Sequence, residues 1–269
     1  MEIAKIAKGI AGEGDVEKKL RTEALGTMRA EREHKEAQAE SKESTLPDSD
    51  LIFMEALVSQ DVRIEELEKD QLTDTFSRSV FIPRMQNILM RLSHIEKRGD
   101  RRQKKEGPIN VTFVFCDLDY FKTVNDEHGG HAFGDQILRE VADIIRQNIR
   151  ETDIVCRWGG DEFVIVLPGL IKENASAVSE KIREAVEKAM IKKYGERITS
   201  LSMGYFVYQV GPEIDEDNVG KEFEEAVAQA DAANYEAKKR GKNMVICANE
   251  LPEETIKENL QKKKGGEAK

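Results

Sequence analysis

The chain is poor in cysteine and has no long hydrophobic run, and each scarcity limits what it can be. Its 269 residues include three cysteines, which lie far apart in strand-like segments without metal-ligand spacing. We expect all three to be reduced residues of the core. The longest nearly continuous apolar segment, residues 163–171, contains a proline and a glycine and is too short to cross a bilayer. Because the first residues also lack a signal-peptide pattern, we predict a cytoplasmic protein without a membrane span.

Positive charge is in deficit as well. The 42 Lys and Arg residues against 52 Asp and Glu residues give a formal net charge of −10. This balance argues against general binding of nucleic acid or of an anionic membrane surface, although it is compatible with a small anionic ligand at a local site. Hydrophobic residues make up 39% of the chain and charged residues 35%, and the length suits one domain with an accessory segment.

The first part of the chain has a helical pattern. Residues 1–46 are rich in Glu, Lys, Arg and Ala, and a break with proline and turn residues follows at 46–50. Residues 51–71 then carry a rough apolar stripe, formed by Leu51, Met54, Leu57, Val58, Ile64 and Leu67. The stripe is compatible with a solvated helix packed on its own domain and with a short parallel coiled coil. We take residues 1–69 as an N-terminal helical region that forms a dimerisation or signalling stalk.

From residue 72 onward helical and strand-like patterns alternate. The patterns predict helices at 81–98, 136–149, 175–191 and 223–240, and strands at 111–116, 153–158, 162–167, 198–210 and 244–247. The two strands at 153–167 form a tight hairpin that interrupts the alternation. We therefore expect an α/β or α+β domain with one sheet and helices packed on it. The charged C-terminal tail, residues 249–269, is expected to fray.

Acidic residues follow two of the predicted strands. In CDLDYFK, residues 116–122, alternation places Asp117 and Asp119 on one side of a strand end. In RWGGDEF, residues 157–163, two glycines make a hairpin tip that a ligand can approach, and two acids follow them. Carboxylates at neighbouring strand ends commonly hold Mg²⁺ against a triphosphate, and two such ions can clamp the attacking and leaving oxygens. Taken singly, an Asp-x-Asp at a strand end is more often a solvated turn or a helix N-cap, and a Gly-Gly hairpin is only a hairpin.

Together these segments resemble the GGDEF diguanylate cyclase family. RWGGDEF contains the complete signature, with Trp158 in place of the usual Tyr. Three further segments match the family in order: DLDYFKTVND, HAFGD and ADAANYEAKKRGKN, the last with Asn234 and Lys242 departing from the usual residues. The entry segment DQLTDTFSR is also similar, although Asp74, Thr75 and Ser77 depart from the family pattern. The resemblance covers roughly residues 70–248, which we take as the catalytic domain.

The resemblance implies an α+β fold like that of adenylyl cyclases and the polymerase palm. A central, mainly antiparallel sheet is flanked by helices, and the signature hairpin lies at the active edge. The implied reaction condenses two GTP molecules into cyclic di-GMP and two pyrophosphates by two-metal phosphoryl transfer. Each of two domains in a homodimer would hold one GTP, and the implied cofactor is Mg²⁺, with Mn²⁺ as a substitute.

The resemblance also implies roles for single residues. Asp117 and Asp161 would ligate the metal together with the backbone carbonyl of Leu118, and Glu162 would support metal binding and deprotonation of the 3′-hydroxyl. With Asp161 and Glu162, Lys122 completes the implied catalytic set. The implied substrate-binding residues are Phe121, Asn125, Asp135, Gly159, Gly160, Lys238 and Lys242. Within that set Asn125 and Asp135 would read the guanine edge, because a carboxylate can accept from both N1–H and the N2 amine.

One departure affects the guanine readers. NDEHGGHAFGD is one residue longer than the family segment, and the extra residue falls near Gly129 and Gly130, between Asn125 and Asp135. Glycine allows the loop to absorb the insertion, but the relative pose of the two readers depends on how it does so.

A second site is implied by RETD, residues 150–153, at the end of a predicted helix. By itself the segment is a helix C-terminus with a favourable Arg. The resemblance implies an inhibitory product site formed by Arg150 and Asp153, with Lys181 where the family often has a second Arg.

Three functions therefore compete at this point. They are an active cyclase with product inhibition, a catalytically silent module that binds cyclic di-GMP, and another palm-type nucleotidyl transferase. Retention of Asp117, Asp161 and Glu162 favours the first, and the glycine insertion is the best argument for the second. The third lacks the full motif set.

Overall fold

The structure is a computed structural model that describes residues 69–98 and 109–266. The predicted stalk lies outside the described residues, apart from its last residue, Lys69. None of the helices in the two described ranges is long and apolar enough to span a bilayer.

Six strands and six α-helices follow one another in the described ranges. In chain order they are β1 (Phe76–Ser77), α1 (Arg78–Arg98), β2 (Asn110–Leu118), α2 (Phe121–Glu127), α3 (His131–Asn148), β3 (Ile154–Gly159), β4 (Glu162–Pro168), α4 (Lys172–Tyr194), β5 (Leu201–Gln209), α5 (Val219–Lys239), β6 (Val245–Cys247) and α6 (Glu253–Gly266). A short 3₁₀ helix, Ala248–Glu250, precedes α6.

The strands form one mixed sheet in the order β1-β3-β4-β2-β5-β6. The four central strands pair antiparallel, and only the short edge strands β1 and β6 pair in parallel with their neighbours. The predicted α+β fold, a mainly antiparallel sheet flanked by helices, is confirmed. Strands β2 and β4 occupy the centre, so the ends of these two strands are held by pairing on both sides.

Helices cover both faces of the sheet, which explains why the central strands are nearly continuous apolar runs. Along β2, Phe113 and Phe115 pack with α1 and α5, whereas Val114 and Cys116 pack with α3 and α4. On α3, Ile137, Leu138, Val141 and Ile145 are buried and recur at helical spacing. The two-sided core fixes the register of β2 and therefore the position of the acids that follow it.

The C-terminal tail differs from the expectation that it frays. Residues Glu253–Gly266 form a helix, and Ile256 is buried against Ala232 and Ala233 of α5. The Asn259 amide is buried and donates hydrogen bonds to the Ala232 carbonyl at 3.1 Å and to Glu236 at 3.1 Å. The charged composition of this segment suggests a solvated tail. The segment nevertheless packs on α5 through a narrow apolar face and one buried, hydrogen-bonded amide.

Candidate active site

The acids of the two sequence motifs meet where β4 begins and β2 ends. Antiparallel pairing sets Glu162 directly opposite Asp117, and the Leu118 N–H donates to the Asp161 carbonyl at 3.3 Å. The structure therefore brings the three signature acids together at one edge of the sheet. Glu162 and Asp161 are half-buried, and Asp117 is buried.

Asp117 is an electrostatically costly residue. Burial raises its pKa to about 6, and the charges of Asp161 and Glu162 add to this effect, although the nearby ammonium of Lys238 opposes it. Lys238 lies in the last turn of α5 and forms an ion pair with Asp117 Oδ2. The other oxygen, Oδ1, is buried and has no hydrogen-bond partner in the described part of the chain. The site is short of positive charge, which suits a cation-binding role.

Asp119 lies in a different environment although it is only two residues away. Its carboxylate accepts hydrogen bonds from Ser200 Oγ and Ser202 Oγ, each at 2.6 Å, and from the Asn243 N–H at 3.0 Å. It is 1% exposed. Asp119 therefore joins β2, β5 and the turn after α5, and its acceptor oxygens are already used. Strand alternation alone could not distinguish it from Asp117.

The signature hairpin is held at its tip by Arg157. Gly160 has φ of 52°, a backbone conformation that favours glycine, and its carbonyl accepts from Arg157 Nε at 3.0 Å and Nη2 at 2.9 Å. Arg157 Nη1 also lies 3.2 Å from both oxygens of Asp70, which accepts from Thr73 as well. Burial raises the pKa of Asp70, but the hydrogen bonds from Thr73 and the charge of Arg157 outweigh it and hold the pKa below its usual value.

Trp158 fills the place of the usual Tyr with a larger ring. Its centroid lies 6.4 Å from those of Phe81 and Phe115, in edge-to-face arrangements, and the Arg78 guanidinium lies 4.1 Å from the ring centre. The base of the hairpin is therefore anchored in the core between α1 and α5. Like the usual tyrosine, the tryptophan side chain is uncharged, so the substitution leaves the charge of the site unchanged.

Asp74 stands where the family has glycine, and the backbone there has φ of 55°. Asp is one of the few residues that tolerate this conformation. Its carboxylate pairs with Lys69 at 3.0 Å and with Arg146 of α3 at 2.6 Å. The hydrogen bond from Lys69 is the main reason that the pKa of Asp74 lies below its usual value. The departure thus supplies ion pairs that glycine cannot make.

The predicted guanine readers lie on either side of a two-glycine turn. Gly129 and Gly130 have φ of 118° and 76°, and the Gly130 N–H donates to the Asn125 carbonyl at 2.9 Å. Asn125 Oδ1 is buried without a hydrogen-bond partner among the described residues. A Cβ added at Gly134 would lie 1.9 Å from that oxygen, so Asn125 sits against the residue before Asp135. The turn accommodates the extra residue, and Asn125 packs against Gly134, the neighbour of Asp135 in the chain.

The remaining predicted residues lie on several different elements. Lys122 is exposed and Phe121 half-buried at the start of α2, and the Lys242 ammonium lies 3.6 Å from the centre of the Tyr120 ring. In the RETD turn, the Arg150 N–H donates to Asp153 Oδ2 at 2.8 Å. The Asp153 N–H donates a hydrogen bond to the Arg150 carbonyl at 3.1 Å, which joins the two residues of the predicted inhibitory site. Lys181 is exposed on α4, a separate element.

Comparison with known proteins decides the family. The model of the family described as "Diguanylate cyclase, GGDEF domain" matches residues 68–244, which include every site residue considered above. The chain belongs to the GGDEF diguanylate cyclase family. This membership accounts for the match between the sequence motifs and the acid cluster at the ends of β2 and β4.

Characterised relatives of this GGDEF chain are longer than it is. Diguanylate cyclase A of Treponema denticola is 35% identical over 163 residues, which cover 60% of this chain and 41% of that protein. Diguanylate cyclase DosC of Escherichia coli strain K12 is 34% identical over 199 residues, which cover 73% of this chain and 38% of that protein. The chain thus spans about two fifths of the length of these relatives.

A solved GGDEF structure shares the fold. The GGDEF domain of DgcB from Caulobacter crescentus, solved in complex with c-di-GMP, superposes with a TM-score of 0.53 at 26% identity. The match covers 68% of this chain and 93% of that chain.

The acid cluster fits a metal that takes only part of its ligands from protein. Within the two described ranges, no group of three or more His, Cys, Asp and Glu side chains is placed to hold an ion by itself. Mg²⁺ commonly keeps waters and binds through one or two carboxylates plus substrate phosphates. The unpartnered Asp117 Oδ1 and the lysine beside Oδ2 both indicate a place where positive charge is needed.

Proposed function

We propose that this chain is a diguanylate cyclase that condenses two GTP molecules into cyclic di-GMP and two pyrophosphates. The observation that carries the proposal is the environment of Asp117: a buried carboxylate beside Asp161 and Glu162, with one unpartnered oxygen and a lysine at the other. A buried carboxylate beside two other acids is costly to ionise, and a bound cation would stabilise its charged form. The names of the relatives support the same reaction.

Asp117, Asp161 and the Leu118 carbonyl would hold Mg²⁺, with Mn²⁺ as a substitute. When bound, two such ions would polarise the α-phosphoryl group and stabilise charge on the attacking and leaving oxygens. The Glu162 carboxylate would accept the proton of the attacking 3′-hydroxyl. Lys238 would exchange its partner, from Asp117 to a phosphate.

The phosphates and the base would be held by separate groups. Lys122, Lys238 and Lys242 would offer point charges to the triphosphate, and Gly159 and Gly160 leave the hairpin tip open to it. Asp135 would accept from guanine N1–H and N2, and Asn125 would complete the guanine contact beside Phe121. Adenine lacks this donor pattern, so we expect GTP to be the substrate.

The proposal includes a homodimer and product inhibition. Each domain supplies one GTP site, so the reaction needs two domains face to face. The helical region at residues 1–69 would raise their local concentration. Arg150 and Asp153, assisted by Lys181, would bind the product: Arg forks onto a guanine edge or a phosphate, and Asp accepts from guanine donors. A domain of DgcB solved with c-di-GMP is compatible with this part of the proposal.

The decisive experiment incubates the full chain with GTP and Mg²⁺ and separates the nucleotides. We expect cyclic di-GMP and pyrophosphate from the wild type, and no turnover from Asp161→Ala or Glu162→Gln. A matched control is Glu173→Gln, which changes an exposed acid in the first turn of α4 and should leave turnover unchanged. Near-normal synthesis of cyclic di-GMP by Asp161→Ala would contradict the assignment of Asp161 as a metal ligand.

The alternative is a silent module that binds cyclic di-GMP and signals to a partner. It is not favoured, because all three signature acids are present and meet in the structure. A wild type that makes no product but binds cyclic di-GMP, and loses that binding in Arg150→Ala, would support the alternative instead.

A further inference from the structure

Strained backbone is concentrated beside the acid cluster. Among the described residues, four that are not glycine have positive φ, and one of these is Asp74. The other three lie together: Tyr120 at 60°, Lys242 at 66° and Asn243 at 48°. Such conformations persist only where surrounding contacts over-determine them, and they cluster at functional sites. Two consecutive residues in this conformation, one of them a lysine, need a specific explanation.

The contacts that impose this conformation all converge on Asn243. Its N–H donates to Asp119 Oδ2 at 3.0 Å, and its side-chain Nδ2 donates to Glu187 Oε1 at 2.8 Å. Its Oδ1 accepts from Arg183 Nη1 at 3.0 Å. Asn243 is therefore held on its backbone by Asp119, the residue after β2, and at both ends of its side-chain amide by residues of α4.

The two α4 residues are themselves held. Arg183 contacts Glu187 at 3.1 Å and Glu180 at 2.7 Å, and Arg197 contacts the Glu187 oxygen that accepts from Asn243, also at 3.1 Å. We call Arg183 and Glu187 the α4 brace. Because each member has a second ionic partner, the brace presents its amide-binding groups in a fixed position.

The clamp decides where Lys242 lies. The Lys242 N–H donates to the Ala237 carbonyl at 3.0 Å, which folds the turn back on the end of α5. Its ammonium lies over the ring of Tyr120, a side chain that is 53% exposed. A cation on an exposed ring is weakly held, so a phosphate group can replace the ring at little cost. The lysine is thus kept near one position and is still available to an anionic ligand.

We propose that Tyr120, Asn243 and Glu187 are positioning residues that hold Lys242 ready for the phosphates of the substrate. The inference rests on the proposed function, since it assigns Lys242 to a nucleotide triphosphate. A free lysine loses rotamer freedom when it binds, whereas a lysine that is already ordered loses less. Glu187 touches no substrate in this account and acts only through Asn243.

The first test needs no nucleotide. Hydrogen exchange of the full chain should show faster exchange at the Lys242 and Asn243 amides in Glu187→Ala than in the wild type, because both N–H groups are hydrogen-bonded only while the turn is held. Glu187→Gln keeps an acceptor for Asn243 and should restore slow exchange. The matched control is Glu173→Ala, which removes an exposed acid from the first turn of α4, away from the brace, and should leave the turn unchanged. Equal exchange in Glu187→Ala and the wild type would overturn the proposal.

The second test separates phosphate from base. Affinity is measured for guanosine and for a GTP analogue with a methylene bridge between the α- and β-phosphates, which cannot release pyrophosphate. Glu187→Ala should weaken the analogue roughly five- to tenfold and leave guanosine unchanged. Asn243→Gly should give the same loss, because glycine adopts the turn but cannot reach the brace, and the double variant should add little.

The outcomes separate this inference from the proposed function. Equal losses for guanosine and the analogue would indicate general damage to the domain and would overturn the positioning role. If the wild type binds neither ligand, the proposed function and the assignment of Lys242 to phosphate both fail. If the wild type binds the analogue and Glu187→Ala binds it equally well, only the positioning role fails.

Discussion

Replacing Asp117 with asparagine should make the protein more stable and inactive. In the absence of metal, the ionised Asp117 carboxylate is buried beside Asp161 and Glu162, and its pKa is raised to about 6, chiefly by burial. The folded state therefore holds a proton on this group more tightly than the unfolded state does. Asparagine resembles the protonated acid in shape and charge, so Asp117→Asn removes the cost of ionisation together with the proposed metal ligand.

The size of the effect follows from the pKa. The interval between 3.8 and about 6, at roughly 1.4 kcal/mol per unit, corresponds to about 3 kcal/mol. The wild type loses stability as the pH rises through this interval, and the loss is complete above pH 6. The variant should then be more stable by about 3 kcal/mol at pH 8 and by only about 0.5 kcal/mol at pH 4. The attraction of Lys238 is already contained in the raised pKa.

Urea unfolding with a chelator present would test this prediction. The chain has a single tryptophan, Trp158, and its packing against Phe81 and Phe115 makes its fluorescence a report on the catalytic domain. The paired control is Asp119→Asn, which replaces an acceptor of three hydrogen bonds and should destabilise by roughly 1–2 kcal/mol. A less stable Asp117→Asn at pH 8, or a difference that does not vary with pH, would refute the reasoning.

Three further changes test other parts of the site. Gly134→Ala places a Cβ 1.9 Å from Asn125 Oδ1 and 3.0 Å from Phe121 Cζ, so the KM for GTP should rise roughly tenfold. An unchanged KM would show that these residues do not bind the base. Arg150→Ala should relieve product inhibition and leave initial rates alone, as rate curves against added cyclic di-GMP would show; unaltered inhibition would mean that the turn is only a helix end. A chain that begins near Asp70 should be mainly monomeric by light scattering, and its specific activity should depend steeply on protein concentration. Full activity at nanomolar protein would place dimerisation outside the stalk.

The sheet could be predicted because its strands are apolar and buried on both faces. The predicted strand at 111–116 lies within β2, Asn110–Leu118, and that at 162–167 lies within β4, Glu162–Pro168. Helix starts were harder, since first turns carry few buried residues. The helix predicted from 136 begins at His131. Gly134, a weak helix former, lies in its first turn and hides this start from a pattern based on helix propensity. That glycine is required by close packing against Asn125, a contact that a local pattern does not reveal.

Two helices escaped prediction for a different reason. Helix α2 has seven residues and only Val124 buried, which is too little for a periodic signal. Helix α6 buries Ile256 and an amide, Asn259, whose partners lie on α5. Both are stabilised by tertiary contacts more than by their own pattern.

The sequence motifs predicted which acids lie close together, but not the hydrogen-bond partners of each acid. Asp117 and Asp119 are equivalent by strand alternation, yet the partners of Asp119 are serines 81 and 83 positions away in the chain. The α4 brace is invisible for the same reason, since Glu187 and Asn243 are separated by 56 positions. A carboxylate's role depends on donors that the fold supplies, and spacing along the chain does not contain them.

The pKa values divide the acids of this domain into two kinds. Hydrogen bonds from Lys239 and Arg240 lower the pKa of Glu236 to about 2, so its contribution to stability is present above its unfolded value of 4.5 and is lost as the pH falls toward 2. Asp117 shows the opposite behaviour, with a raised pKa and a stability cost above pH 6. A domain that satisfies Glu236 so fully leaves Asp117 unsatisfied beside Asp161 and Glu162. A bound cation would relieve that cost, so the unfavourable free energy of the buried, ionised Asp117 would increase the affinity of the proposed site for the cation.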